Sequence, residues 1–467
     1  MSGTIAPFVE RYRKALADRQ LGRNLLNFQR AYGAARRAAF EHWRTQSPLG
    51  VPSPSFAGQR ERLTAAKRQA LRDRTQQFAR FKTAAQAAGT TVYESTSAHD
   101  AVRYIVELCR RRGATLFAKG KSMVSEEIFL NQALESAGVN AIETDLGEWI
   151  IQLAHETPSH MVMPAIHKSR QQVGGLFEAH VGRPVSREDI GEMAGVARQE
   201  LRRVFAEAQV GMTGANALIA ETGTVMLVTN EGNGRLTSSL PPVHIVLAGW
   251  EKLVPTWEDA TAQIRLLARS GTAQDITVYT TFITGPDHPD RELHIVIVDN
   301  GRSAMAADPD FSEALRCIRC AACADVCPPY QVVGGHAFGY VYSGAIGLVN
   351  TSFHHGLEAA AGPQSLCFSC NACATVCPVS IPLPRLILDV RRRVAERFGL
   401  RLGKRLAMAV WSRPRLFRAA LSLARWIQTP FVRGKQLRLW LPKALRWRTL
   451  PALAARPARA MLIGRDL

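Results

Sequence analysis

The chain has 467 residues, a formal net charge of +20 at pH 7, and 46% hydrophobic and 21% charged residues. This length allows two or three domains with ample cores, which excludes a small scaffold held together only by metal or disulfides. The sequence has no run of 18 apolar residues and opens without the apolar segment of a secretory signal, so we expect a cytoplasmic protein with no spanning helix.

The first 59 residues are predicted to form a helical arm and a linker. Apolar side chains recur at helical spacing among arginines in this segment. The proline- and serine-rich stretch at 47–55 then interrupts the pattern.

Residues 60–301 are predicted to form an α/β domain, because helical and strand patterns alternate along them. Several of the strands are near-continuous Val, Ile and Leu runs, which are typical of strands buried on both faces. The predicted strands are 90–94, 114–118, 140–144, 160–164, 217–220, 224–229, 242–248, 276–281 and 292–298, and the predicted helices are 61–88, 98–112, 126–137, 146–153 and 186–209.

The loops on either side of strand 224–229 contain a candidate pocket. Glu221 precedes this strand, and Asn230, Glu231 and Arg235 follow it among glycines. Such side chains at strand ends can bind a small anion or carboxylate. The alternative is a pair of tight turns in which the glycines adopt positive φ and Glu221 pairs with Arg235. The spacing alone leaves both interpretations open.

Three other residues of this domain are interpreted as structural. His244 lies within an apolar strand and is expected to be a hydrogen-bonded core histidine, and Cys109 is expected to be a buried small hydrophobe. Lys121 lacks the glycine spacing of a phosphate loop, and we expect a solvated lysine rather than an anion-binding one. No G-x-G-x-x-G motif follows any strand, so a classical dinucleotide-binding fold is not supported.

Eight of the nine cysteines lie in two copies of the pattern C-x2-C-x2-C-x3-C-P, with 39 residues between Cys327 and Cys367. Three closely spaced thiolates overfill a tetrahedral zinc site, whereas this spacing is typical of [4Fe-4S] ligation. The pattern predicts two [4Fe-4S] clusters. In two-cluster ferredoxins the fourth cysteine of each run binds the other cluster. The corresponding ligand sets are Cys317, Cys320, Cys323 and Cys377 for the first cluster, and Cys367, Cys370, Cys373 and Cys327 for the second.

Residues 302–398 are therefore predicted to be a ferredoxin domain of the helical type, since the long spacer between the two runs has helical stretches. The remaining segment, 399–467, is a basic tail rich in Trp and Arg. From Arg391 to the end of the chain there are 20 Lys and Arg residues against two acids.

The tail has three candidate partners. We slightly favour an acidic face of a partner protein, because an electron carrier must meet a donor and an acceptor. An anionic membrane surface near a quinone pool is the second candidate, which would place the protein at the inner face of the membrane. Nucleic acid is the third, but no recognised binding module accompanies the charge.

Both predicted domains resemble the family of lactate-utilisation iron–sulfur proteins, which form one component of a three-protein L-lactate oxidation system. The resemblance includes the paired cysteine runs and the stretches Lys121-Ser-Met-Val-Ser-Glu-Glu127, Glu143-Thr-Asp-Leu-Gly-Glu148, Pro164-Ala-Ile-His-Lys168, Thr213-Gly-Ala-Asn216, Glu221-Thr-Gly223, Thr229-Asn-Glu-Gly-Asn-Gly-Arg235 and Pro241-Pro-Val-His244. It implies that the α/β part is a LUD domain similar to the sugar-isomerase and CoA-transferase-like fold. It also implies two partners from the same system, a cysteine-rich protein and a second protein that shares the α/β domain.

The leading hypothesis is an electron-transfer subunit that relays electrons from L-lactate oxidation through two [4Fe-4S] clusters. No flavin or nicotinamide motif is present, so this chain alone is not expected to be the complete catalyst. Two alternatives stay open. One is a subunit of another dehydrogenase or of a heterodisulfide-reductase-like complex. The other is a ligand-binding α/β enzyme whose clusters sense redox state.

Overall fold

The computed structural model describes residues 5–43, 45, 50, 52, 54–399, 402–434, 436–437 and 450–454. Most of the predicted linker at 47–55 and two tail tryptophans, Trp440 and Trp447, lie outside these residues. The chain divides into two compact units, Met1–Val394 and Ala395–Leu467.

Helices precede, interrupt and follow the strands of the first unit. Its helices are α1 Phe8–Ala17, α2 Arg19–Glu41, α3 Phe56–Arg72, α4 Arg74–Ala87, α5 Ala98–Arg111, α6 Met123–Glu127, α7 Leu130–Ser136, α8 Leu146–Leu153, α9 Arg170–Val181, α10 Ile190–Glu207, α11 Asn233–Ser239, α12 Trp257–Gly271, α13 Arg302–Ala307, α14 Ala322–Asp325, α15 Pro328–Val333, α16 Gly344–His354, α17 Leu357–Ala361, α18 Ala372–Val376 and α19 Leu383–Phe398, the last of which runs into the second unit. Its strands are β1 Thr91–Ser95, β2 Leu116–Lys119, β3 Asn140–Glu143, β4 Val210–Thr213, β5 Ala217–Ile219, β6 Thr224–Thr229, β7 Val243–Gly249, β8 Leu253–Val254, β9 Tyr279–Ile283 and β10 Glu292–Val298.

A six-stranded parallel sheet forms the centre of the α/β part, in the order β1-β10-β7-β4-β2-β3. Every residue of β4 and β7 is buried, as are six of the seven residues of β10. The apolar runs therefore do form strands covered on both faces, and the mixed α/β class with a parallel sheet is confirmed. A second sheet, in the order β8-β5-β6-β9, mixes parallel and antiparallel pairs.

The strand predictions missed β4 and the two-residue β8, and placed a strand at 160–164 where none forms. Strand β4 was missed, because its four residues include Gly211, whose lack of a side chain lets the Thr237 carbonyl approach closely. The predicted strand 160–164 is instead a series of bends. There the His160 side chain accepts hydrogen bonds at Nδ1 from the backbone N–H groups of Val162 and Met163, both at 3.0 Å. These donors are satisfied locally, so they need no neighbouring strand.

Two predicted helices are each broken into two. The helix predicted at 61–88 is observed as α3 and α4, which meet at Asp73, and α3 begins at Phe56. The helix predicted at 126–137 is interrupted by Phe129, whose φ of 56° lies in the left-handed region. No Gly or Pro marks either break, so the helical periodicity alone could not locate them.

A continuous hydrophobic cluster joins the arm, the α/β part and the cysteine-containing part. It includes Leu25 of α2, Ile295 of β10, Tyr330 of α15 and Ile387 of α19. Hydrogen bonds reinforce the packing of α2, since the Tyr32 hydroxyl donates to the Ser270 carbonyl at 2.6 Å. The cysteine loops are therefore positioned by the core of the α/β part as well as by their own helices.

A buried network of charged side chains lies at the same junction. Arg302 donates from both terminal nitrogens to Glu127, at 2.8 and 2.7 Å, and from Nε to Glu251 at 2.7 Å. The other oxygen of Glu251 accepts from Arg319, in the first cysteine loop, at 3.2 Å. Tyr342 donates to Glu127 at 2.7 Å. Arg302, Glu127 and Glu251 have fully buried side chains.

The acids of this network remain ionised although they are buried. Burial alone would raise the pKa of Glu251, but the guanidinium groups of Arg302 and Arg319 outweigh it and lower the pKa to about 2. The pKa of Glu127 is lowered for the same reason, chiefly by Arg302. Gly249 is part of the arrangement, because a Cβ there would collide with both Glu251 and Arg302.

Replacing Arg302 with Met should destabilise the protein by about 3–5 kcal/mol, because it leaves two buried carboxylates without their main partner. The control is Lys82→Met, which breaks an ion pair with Glu94 that is partly solvent-exposed and should cost less than about 1 kcal/mol. Anaerobic urea unfolding of the two variants and the wild type measures the difference. Equal losses in the two variants would show that the network does not stabilise the junction.

Candidate functional site

The two cysteine loops have the same backbone conformation. In each loop the second and fourth residues after the first cysteine have positive φ: Arg319 (62°) and Ala321 (64°) in one, Ser369 (57°) and Asn371 (69°) in the other. The backbone N–H groups of Arg319 and Ser369 donate to the sulfur of the first cysteine of their loop, at 3.4 and 3.3 Å. Left-handed residues in a tight loop turn backbone N–H groups inward, which suits an anionic centre.

The fold brings the cysteines together in two groups of four. One small cavity is lined by Cys317, Cys320, Cys323 and Cys377, and the other by Cys367, Cys370, Cys373 and Cys327. Each group combines three thiols of one run with the fourth thiol of the other run, because α14 and α18 pack against each other. These are the two sets in which we expected the cluster ligands.

The chemistry of the donors fits iron–sulfur clusters. None of the eight forms a disulfide. Burial, followed by neighbouring thiols, raises the pKa of Cys320 and Cys323, and burial raises the pKa of Cys327 to about 12. Thiols packed this way would be neutral, whereas a bound metal holds them as thiolates. The other residues that line the cavities are mostly apolar, which is typical of a cluster shielded from water.

The two groups differ in exposure. Cys317, Cys320 and Cys323 are all buried. In the second loop Cys370 is exposed, and the Phe368 side chain is 62% exposed. The first loop therefore faces the protein interior and the second lies at the surface.

A larger cavity of about 350 Å³ lies at the C-terminal ends of β2, β4 and β7. Ligands of open α/β sheets bind at this edge. The segments that follow these strands line it, together with the loop after β6 and the C-terminal end of α12. The opposite wall includes Ile318, Arg319 and Cys320 of the first cysteine loop, and Tyr342. The cavity is thus enclosed between the α/β part and the first cysteine loop.

The four residues predicted to form one pocket are not all in this cavity. Asn230 and Glu231 line it. Glu221 instead accepts from the backbone N–H of Trp257 at 2.5 Å and lies 3.9 Å from Arg80. Arg235 stacks over the Tyr279 ring at 5.1 Å. The proposed pairing of Glu221 with Arg235 does not occur.

The turn interpretation holds in part, since Gly223 and Gly232 have positive φ, of 67° and 80°. Gly234 does not show positive φ and lies within α11.

Lys121 is not the solvated lysine that we expected. It lines the cavity, donates to the Val162 carbonyl at 2.7 Å and lies 3.5 Å from Glu148. His244 is confirmed as a hydrogen-bonded core residue, 2.9 Å from Thr213 Oγ1, and burial lowers its pKa to about 3. Cys109 is confirmed as buried.

Two cavity residues were not predicted from the sequence, Lys252 and Asn233, both of which are 7% exposed. Lys252 follows β7 within a short 3-10 helix, and Asn233 begins α11 after Gly232. A buried lysine just beyond a buried strand is unusual, and this was the only signal in the sequence that could have identified it.

Comparison with known proteins identifies the family. Residues 78–301 match the model of the LUD domain, and residues 313–381 match that of the 4Fe-4S dicluster domain. Lactate utilization protein B of Shouchella clausii is 43% identical over 357 residues, which cover 74% of each chain. The chain belongs to the lactate utilization protein B family. Its dicluster domain implies two [4Fe-4S] clusters.

Two further relatives agree with this assignment. Lactate utilization protein B of an Exiguobacterium species is 42% identical over 365 residues, covering 76% of this chain and 77% of the relative. The uncharacterized electron transport protein YkgF of Escherichia coli is 44% identical over 315 residues, covering 66% of each chain.

The second unit contains the described part of the basic tail. It has helices α20 Leu402–Trp411 and α21 Pro414–Gln428, and a small antiparallel sheet of β11 Val432–Arg433, β12 Gln436–Leu437 and β13 Leu450–Pro451. Trp411 and Trp426 are 66% and 77% exposed. Within the residues that the structure describes, no helix is both long and apolar enough to cross a bilayer.

The crossed grouping of cysteines predicts how cluster content responds to substitution. A parent variant with Cys367, Cys370 and Cys373 all changed to Ala should retain one [4Fe-4S] cluster. Adding Cys377→Ala should remove that cluster, because Cys377 lines its cavity, whereas adding Cys327→Ala should not. Anaerobic iron and sulfide analysis with EPR of the reduced proteins distinguishes these outcomes.

Cys109→Ser is the control and should leave both clusters in place. Loss of the remaining cluster on adding Cys327→Ala, with no effect of Cys377→Ala, would show that each run binds its own cluster.

Proposed function

We propose that this chain is the electron-transfer subunit of a system that oxidises L-lactate to pyruvate, with two [4Fe-4S] clusters as the relay. The observation that carries the proposal is the pair of cysteine groups, one buried against the α/β cavity and one at the surface. The name lactate utilization protein B supports lactate as the substrate, and the name of the electron transport protein supports the electron-transfer role.

We assign Cys317, Cys320, Cys323 and Cys377 as ligands of the first cluster, and Cys367, Cys370, Cys373 and Cys327 as ligands of the second. Clusters of this kind accept and release single electrons when bound. Conversion of lactate to pyruvate breaks the C2–H and O–H bonds, forms the C=O bond, and releases two electrons and two protons. Two one-electron carriers match this stoichiometry.

The difference in exposure suggests a direction for the relay. The first loop adjoins the cavity, where Cys320 itself is part of the wall. The second loop has exposed Cys370 and Phe368, which a partner protein can approach. Electrons therefore enter at the first loop and leave at the second.

Partner proteins complete the reaction. The chain has no flavin or nicotinamide motif, so the acceptor of the first two electrons lies on another protein. We infer that a cysteine-rich protein and a second protein with the α/β domain supply the remaining parts of the system. A quinone-side acceptor at the inner face of the membrane fits the basic tail, whose exposed tryptophans and arginines are the residues of interfacial helices.

The test is anaerobic EPR of the purified chain with L-lactate, alone and together with the co-purified partners. We expect lactate to reduce the clusters only when the partners are present, because the lone chain lacks a group that takes the substrate hydrogen. D-lactate with the complete set of proteins is the control for a specific reaction.

Cluster reduction by the lone chain would contradict the division of roles between the proteins. Clusters that lactate never reduces, with all partners present, would assign the chain to a different dehydrogenase.

A further inference from the structure

The large cavity contains a lysine without a hydrogen-bond acceptor. Lys252 lines the cavity and is 7% exposed, yet its ammonium has no acceptor among the residues that the structure describes. Its sequence neighbour Glu251 does not pair with it, and the carboxylate oxygens of Glu251 instead accept from Arg302 at 2.7 Å and Arg319 at 3.2 Å. A buried cation without an acceptor is costly unless an anion completes the site.

The side chain of Asn233 lacks a partner in the same cavity. Its Oδ1 atom is buried and accepts no hydrogen bond from any described residue. Asn233 belongs to the first turn of α11, close in sequence to Asn230 and Glu231 of the predicted pocket. Buried amide oxygens are normally bonded, so an unbonded one on a side chain that lines a cavity indicates a donor on a ligand.

The other charged groups in the cavity wall are accounted for. Lys121 donates to the Val162 carbonyl, Arg319 pairs with Glu251 and lies over the Tyr342 ring, and Asp145 caps α8 by accepting from the Glu148 N–H at 3.1 Å. Glu231 is exposed to solvent. Within the described part of the wall, one cation and one buried acceptor are thus left for a ligand.

We propose that this cavity binds a small 2-hydroxy carboxylate, with the Lys252 ammonium on the carboxylate and Asn233 Oδ1 accepting from the 2-hydroxyl. The volume of about 350 Å³ is sufficient for such an acid. The inference rests on the proposed function for the choice of lactate. It adds to that function a binding site on this chain, beside Cys320.

Binding to the full, cluster-loaded chain is measured by anaerobic calorimetry without partners, so that no turnover is needed. The ligands are L-lactate and propionate, which differ by the 2-hydroxyl. Lys252→Met should weaken binding of both acids about tenfold or more, because it removes the cation. Lys252→Arg should retain most of the affinity, and Lys82→Met, at the exposed pair with Glu94, should not change it.

Asn233→Leu tests the second contact. It should reduce the affinity for lactate to that for propionate and leave propionate binding unchanged, because propionate has no hydroxyl to donate. An equal loss for both acids would assign Asn233 a structural role and overturn its part in the proposal.

Lactate binding that is the same in Lys252→Met and the wild type, or absent from the wild type, would overturn the site. A shift of the cluster EPR signal in Lys252→Met with unchanged acid binding would also overturn it, since the ammonium would then serve the cluster alone. Lactate that binds through Lys252 but never reduces the clusters with partners would refute the proposed function and leave the site intact. Cluster reduction by lactate with partners, without lactate binding to this chain, would refute the site and leave the proposed function intact.

Discussion

The chain of buried charges from Glu127 through Arg302 and Glu251 to Arg319 is the interaction on which the arrangement of the site depends. It connects helix α6 and the end of strand β7, both in the α/β part, with the first cysteine loop. Such a network is costly to desolvate and is satisfied only when every partner is in place. It therefore specifies one docking geometry for the two parts, where apolar packing alone would tolerate several.

That geometry explains why the cavity and the first cysteine loop share a wall. Arg319 has a left-handed conformation that directs its backbone N–H to the Cys317 sulfur, while its guanidinium group reaches Glu251 and the Tyr342 ring. A single residue thus links the sulfur environment to the α/β part. The second loop has no counterpart, since Ser369 occupies the equivalent position. A ligand in the cavity would accordingly affect the first cluster more than the second.

The sequence predicts the repeated elements well and the tertiary contacts poorly. The cysteine spacing identified the two loops, because ligand spacing is a local property. The crossed grouping was expected from two-cluster ferredoxins and depends on the packing of α14 against α18. The Val and Ile runs located β6, β7 and β10. Strand β4 and the role of Lys252 depend on which segments approach one another. In the sequence, a short segment with a glycine such as Gly211, or an isolated lysine, looks the same whether it is buried or lies in a surface loop. Glu221 and Arg235 were grouped because they flank β6, yet they lie beyond opposite ends of this six-residue strand and make separate contacts.

The most direct test of this account is anaerobic crystallography of the cluster-loaded chain with L-lactate, with anomalous diffraction at the iron edge. The account predicts four irons bound by Cys317, Cys320, Cys323 and Cys377, four bound by the remaining set, and lactate density between Lys252 and Asn233, next to the first group. Irons bound by each cysteine run separately, or lactate elsewhere on the α/β part, would contradict it.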